Sequence, residues 1–158
     1  MHELEQTVAD LARRVQALED ELAIHRLIVR YGLGVDVGDG ERGAAVFTED
    51  GVYDVDVGRM EGRDAVCAMV CSERHQAMVG RCAHQIGPAV VRLDGAANAT
   101  AVGYSRVYLD GDAGIGIYRV SMNRWELVKE DGEWLIKRRV TRRLGHAEAL
   151  HVLTGAGL

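Results

Sequence analysis

A carboxylate and an imidazole stand at places in this chain where the pattern calls for apolar side chains. Asp36 falls in "YGLGVDVGDG" (residues 31–40), on the apolar side of the last turn of a long helical pattern. A helix C-terminus carries partial negative charge, so an acid there needs compensation. His84, in "RCAHQIG", alternates with Cys82 and Ile86 along one face of a strand pattern. Each residue has an ordinary structural reading. An Asp among glycines can bind its own backbone in a turn, and a histidine on such a face can be a hydrogen-bonded core residue. Histidine is also suited to taking a proton from carbon near neutral pH, since its unperturbed pKa is about 6.5. Tyr31 and Tyr53 lie on apolar stripes and can either pack or offer phenols to a pocket. Arg139 lies in "KRRVTRR", where strand alternation must send some of the basic residues to solvent.

Other candidate clusters read as structural. Cys67, Cys71 and His75 fall at i, i+4 and i+8 of a helical stretch, which formally resembles a ligand face. Zinc would want a fourth ligand and a knuckle outside a helix, so core packing is the reading. Asp54 and Asp56 alternate with Tyr53, Val55 and Val57 and read as solvated. No nucleotide or metal motif is present.

These side chains must be positioned by the rest of the chain. At 158 residues with 27% charged and 47% hydrophobic residues, one domain with a real core is expected. A net charge of −5 argues against nucleic acid and anionic membrane as partners, and the basic stretch lacks interleaved aromatics. Nothing in it suggests a membrane span. Three cysteines, an odd number, read as reduced thiols and a cytoplasmic location. Leu4, Val8, Leu11, Val15, Leu18 and Leu22 form a heptad seam, which changes phase at His25. Ile24, Ile28, Tyr31 and Val35 then make a core-facing stripe, and Gly32, Gly34 and Gly38 weaken and end the helix.

A short helix is expected in "GERGAAVFTED", leading to an Asp50-Gly51 turn, with a strand pair in "VYDVDVGRMEG" and one helical stretch in "RDAVCAMVCSERHQAMV". Strands follow at 82–93, 98–109, 115–128 and 134–144, separated by Asp94-Gly95, Asp110-Gly111 and Asp131-Gly132. This order predicts an α+β fold: a cone-shaped, curved, mixed or antiparallel sheet, with N-terminal helices on its concave face enclosing a pocket. An extended helix over 1–22, a cone domain over 23–145 and a tail over 146–158 are the expected divisions. The tail is either a short helix with a loose end or a cover for something. Gly103, Gly114 and Gly116 suggest either room for a bulky ring or sheet curvature.

The run "IHRLIVRYGLGVDVGD", "FTEDGVYDV", "GRDAV", the histidine-bearing strand and "NRWELVKEDGEWLIKRRV" together resemble the nuclear-transport-factor-2-like superfamily, in its SnoaL-like branch. The resemblance covers roughly residues 20–144. The closing segment is specific for the fold and not for the chemistry. Among such proteins, Asp36 and His84 match the dyad of scytalone dehydratase, bile acid 7α-dehydratase and hexachlorocyclohexane dehydrochlorinase. Tyr31, Tyr53 and Arg139 resemble their pocket residues, while no second pocket histidine is found around "GYSRVYLDGD".

The resemblance implies a cofactor-independent lyase, a dehydratase or dehydrohalogenase, acting on a small hydrophobic, oxygenated, cyclic substrate. His84 would be the base, Asp36 its orienting carboxylate, a tyrosine the proton donor and Arg139 the binder of negative charge. No cofactor is implied, and a homodimer or homotrimer is. A SnoaL-like cyclase or an isomerase of the ketosteroid type would use the same cavity, mainly through Asp. Limonene epoxide hydrolase needs a carboxylate pair with an arginine between, which is not assembled here. The third alternative is a non-catalytic binding or assembly module, the role that β subunits of ring-hydroxylating dioxygenases play on this fold. The N-terminal heptads would fit assembly.

Overall fold

A computed structural model describes residues 2–155. Helix α1 (His2–Asp36) is followed by α2 (Gly40–Ala44), strands β1 (Phe47–Val55) and β2 (Gly58–Glu61), and short helices α3 (Arg63–Val70) and α4 (Glu73–Gln76). Four long strands come next, β3 (Cys82–Leu93), β4 (Asn98–Gly111), β5 (Gly114–Glu130) and β6 (Glu133–Arg143), then helix α5 (Ala149–Thr154). The strands form one mixed sheet in the order β2-β1-β6-β5-β4-β3. All neighbours pair antiparallel except β1 and β6, which are parallel. The meander thus stands where the alternation puts it, with turns at Asp94-Gly95 and Asp131-Gly132, but Asp110-Gly111 belongs to β4 and the β4–β5 turn is Asp112-Ala113. The fold is α+β, a curved, open cone.

The core forms where α1 crosses the sheet. Ile24, Leu27, Ile28, Tyr31 and Val35 bury one stripe of the helix against Phe47, Trp125, Leu127 and Ile136. Each such side chain contributes about 1.5–3 kcal/mol by leaving water. At the start of that stripe Asp20 anchors the helix, accepting hydrogen bonds from Lys129 Nζ (2.6 Å) and Trp134 Nε1 (3.0 Å). A second, small cluster joins α5 to the sheet through Met122, Val140, Ala149 and Val152. The tail is therefore a short helix as far as Thr154, and residues 156–158 lie outside the described chain.

Several local expectations change. Gly32 and Gly34 do not end α1, which runs on to Asp36; Gly38, with φ of 70°, follows its end. The apolar outer stripe of α1 does not stop at the phase change either, since Val29 and Leu33 continue it exposed. Asp50-Gly51 is no turn but an irregularity inside β1, where the pairing with β6 shifts register. The stretch after Gly62 breaks into two helices, because Ser72 caps a new one by accepting from the His75 N–H. Gly103 gives no room to a ligand: a Cβ there would lie 2.8 Å from Pro88 O, against the β3 irregularity. Gly114 and Gly116 are exposed at the far end of β5.

Candidate functional site

Asp36 and His84 meet because two backbones come unusually close. A Cβ on Gly32 would stand 3.1 Å from His84 O and 3.4 Å from His84 Cβ. A Cβ on Gly34 would stand 2.7 Å from Gly43 N. With glycine at both places, the last turn of α1 is wedged between β3 and α2, and the next acid along the helix reaches β3. Its carboxylate takes two hydrogen bonds from one residue: His84 Nδ1 lies 2.6 Å from Oδ1, and the His84 N–H donates to Oδ2 at 2.8 Å. Both side chains are about four-fifths covered. The compensation that a carboxylate needs at a helix C-terminus is thus supplied across the sheet. A carboxylate accepts only, so Nδ1 carries the proton and Nε2 is the basic nitrogen of the neutral ring.

His84 lines a cavity of about 550 Å³ between the concave face, α1 and α3. Tyr31 and Tyr53 line it too, with Val35, Met60 and Met69 making much of the wall apolar. The two tyrosine rings meet edge-on, 5.9 Å between centroids. Burial pushes the Tyr31 phenol far above the usual range, and the neighbouring Tyr53 adds to this, while the Arg139 charge works against it. Tyr31 therefore stays a hydrogen-bond donor at every working pH.

Arg139 faces inward but does not line the cavity. Strand register explains its place: Tyr53, Arg139 and Trp125 are direct partners across β1, β6 and β5. The guanidinium stacks 4.5 Å from the Tyr31 ring and 4.8 Å from Tyr53, behind both. It is 3% exposed, donates through Nε and Nη2 to Asn123 Oδ1, and leaves Nη1 without a partner. Among the described residues no carboxylate lies in ion-pair range of it. Both tyrosine rings, against which it packs, line the cavity.

Sequence reasoning missed two residues of the cavity. His75 enters from α4, its ring 6.3 Å from that of His84, with Nε2 2.8 Å from Val35 O. It had been sorted with Cys67 and Cys71 on one helix face. The break at Ser72, a good N-cap residue within "CSERH", was the signal that it turns away. Arg119 is the other. Register places His84, Val107 and Arg119 in one row across β3, β4 and β5; counting back from Asp110-Gly111 would have set Val107 against Gly114, because the turn lies at Asp112-Ala113 and the pairing shifts again between Val107 and Tyr108. Arg119 pairs with Asp56 and donates to Ser121 Oγ. Asp56 is consequently largely buried, and so is Asp54, which is paired with Arg142 and Arg138; neither is solvated as the alternation suggested.

Asp36, Cys82 and His84 are the metal-capable group among the described residues, their ligand atoms lying within 4.8 Å. The donors already bind one another, and Cys82 Sγ sits 3.8 Å from Asp36 Oδ1. Burial and the adjacent Asp36 push the Cys82 thiol up, which disfavours the thiolate a metal would take. Cys67, Cys71 and His75 do not converge. Among the described residues no helix is long and apolar enough to cross a membrane.

Known proteins agree with this architecture. A nuclear-transport-factor-2-like protein with a cystatin-like fold from Novosphingobium aromaticivorans is 37% identical, with a TM-score of 0.87 over 92% of this chain and 96% of that one. Rv3472 from Mycobacterium tuberculosis, a protein of unknown function, is 29% identical, with a TM-score of 0.74 over 89% and 90% of the two chains. A candidate scytalone dehydratase from Novosphingobium aromaticivorans, 22% identical, shares the fold with a TM-score of 0.71 over 82% and 87%. No curated protein matches the chain. The SnoaL-like domain profile matches residues 16–140, from the middle of α1 to well inside β6, and the chain belongs to that family.

Proposed function

We propose that this protein is a cofactor-independent lyase that removes a proton and a neighbouring hydroxyl or halide from a hydrophobic cyclic substrate. The observation that carries this reading is the doubly held carboxylate: Asp36 binds both the ring Nδ1 and the backbone N–H of His84, at the wall of a largely apolar cavity. That arrangement fixes the ring tautomer and stabilises the imidazolium formed when Nε2 takes a proton. As the C–H bond breaks, its electron pair becomes the new double bond and the leaving group departs with its own pair. A departing hydroxide takes a proton from a pocket phenol, that of Tyr53 or Tyr31, and leaves as water; the imidazolium proton returns to the phenolate through solvent or product exchange. Arg139, behind both rings, is a positioning residue that favours negative charge on their oxygens.

An isomerase or cyclase using Asp as its base is disfavoured by the same contacts, since both Asp36 oxygens are engaged. A purely structural module gives no reason to hold a carboxylate and an imidazole together beside a cavity. The fold supports small-molecule binding under either reading.

The test is a panel of cyclic β-hydroxy ketones and polychlorinated cyclohexanes, followed by absorbance of the new conjugated bond and by released chloride. His84→Gln and Asp36→Asn should each lower turnover by about 10²–10⁴-fold. Full turnover in His84→Gln sinks the reading. Rearranged product with no loss of water or halide would move the protein to the isomerases.

A further inference from the structure

The first half of α1 is a helix with nothing of its own chain to lean on. Every residue from 2 to 19 is exposed, and Asp20 is the first to be buried. A helix of this length is marginal in water without packing. Yet it carries an apolar seam from Leu4 to Val29 whose large side chains are 46–69% exposed. At about 100° per residue, the centre of this seam lies roughly 160° around α1 from the centre of the buried Ile24–Val35 stripe. A second helix can therefore lie along the seam without meeting the cone.

We propose that this seam is the docking surface for a second copy of the chain, forming a parallel, in-register, two-stranded coiled coil. Three observations choose this occupant, and none depends on the proposed chemistry. The seam alternates Val8, Val15, Leu22, Val29 at one heptad position with Leu4, Leu11, Leu18, His25 at the other. β-branched residues at the first position and leucine at the second favour two parallel strands over three or four. The flanking charges fit the same register: Arg14 falls opposite Glu19 of the partner subunit, and Glu21 opposite Arg26 of the partner subunit, each pair occurring twice by symmetry. All four side chains are exposed; Glu21 also lies 3.7 Å from His25 of its own helix.

Slips by one heptad are penalised. Moving the partner one way sets Arg14 against the partner subunit's Arg26, and the other way sets Glu21 against the partner subunit's Glu19. His25, the single polar residue at a core position of the seam, stacks on its own counterpart only in the parallel in-register arrangement, and so adds to its specificity. Charge alone would also permit an antiparallel alignment with residue 11 facing residue 22. The valine and leucine layering decides for the parallel one.

The experiment uses the full chain. Sedimentation should give the Leu11→Glu, Leu18→Glu double variant half the wild-type mass, whatever the sheet surface does. These two residues touch nothing in their own domain, so its thermal transition should be kept. Under oxidised glutathione, Leu11→Cys should form a symmetric 11-to-11 disulfide, mapped by mass spectrometry and absent from wild type. An unchanged mass in the double variant overturns the proposal. So does failure of the 11-to-11 link alongside efficient linking of mixed Leu11→Cys and Leu22→Cys chains, which would make the pair antiparallel. A mass fitting three chains would refute the two-stranded form.

Discussion

The two halves of α1 are one continuous helix built from similar residues, yet they owe their order to different things. From Asp20 onward the helix is tied by an ion pair, an indole hydrogen bond and a buried stripe, and it ends by delivering Asp36 to His84. Before Asp20 every described residue is exposed, and Gln16, which donates to the Asp20 carboxylate, marks where its contact with the sheet begins. Apolar spacing alone does not distinguish these halves, since both carry i, i+3, i+4 patterns. What separates them is the chemistry between the apolar positions. Glycine at 32 and 34 admits neighbouring backbone, whereas Glu, Arg and Gln around the first seam demand water.

The contrast breaks most visibly with Leu27→Ala. Leu27 is fully buried in the stripe that holds α1 to the sheet, so the deletion leaves a cavity. A loss of about 2–5 kcal/mol is expected in urea unfolding followed by the fluorescence of Trp125 and Trp134, both buried nearby. A loss below about 1 kcal/mol would mean that the stripe is not what holds the helix.

Asp20→Asn probes the boundary itself. Burial pushes the Asp20 carboxyl up, but hydrogen bonds from Lys129 and Trp134 and the Lys129 charge outweigh it, so its pKa lies below the ordinary 3.8. The folded value is thus depressed relative to the unfolded one. The resulting stability is fully present above the unfolded value and is lost as pH falls through the folded one. The variant should be about 1–3 kcal/mol less stable at pH 7, where Lys129 loses its counter-charge. That gap should narrow as the pH is lowered below about 4. Urea midpoints measured at neutral and acid pH check this, and a gap independent of pH would mean that ionised Asp20 is not the anchor.

How much could be read beforehand follows the same physics. The meander was legible because Asp-Gly turns and two-residue alternation are local signals, and Ile24, Ile28, Tyr31 and Val35 because helical periodicity is one too. Arg139 was singled out by resemblance alone, since "KRRVTRR" gives no local sign of which arginine turns inward; Tyr53 and Trp125 on neighbouring strands decide that. Asp54 and Asp56 misled for the same reason, as their arginine partners come from β5 and β6. His75 was lost to a helix break of two residues. The meeting of Asp36 with His84 was suggested by resemblance, and the steric cause of it, glycine at 32 against the β3 backbone, is visible only in three dimensions.

The smallest effect is the most informative about the first half of α1. Leu11→Ala removes the same atoms as Leu27→Ala, from the same helix, sixteen residues earlier. Leu11 is half exposed and has no packing neighbour in its own chain, so no cavity forms in the domain. The tryptophan-detected transition of a dilute sample should shift by no more than about 0.5 kcal/mol. Far-ultraviolet ellipticity of the same sample should nonetheless fall relative to wild type as protein concentration rises, because a helix without tertiary contacts gains order only from association. A large shift of the tryptophan transition would show that residues 2–19 fold back on the cone, and the division of α1 into a supported and an unsupported half would fail.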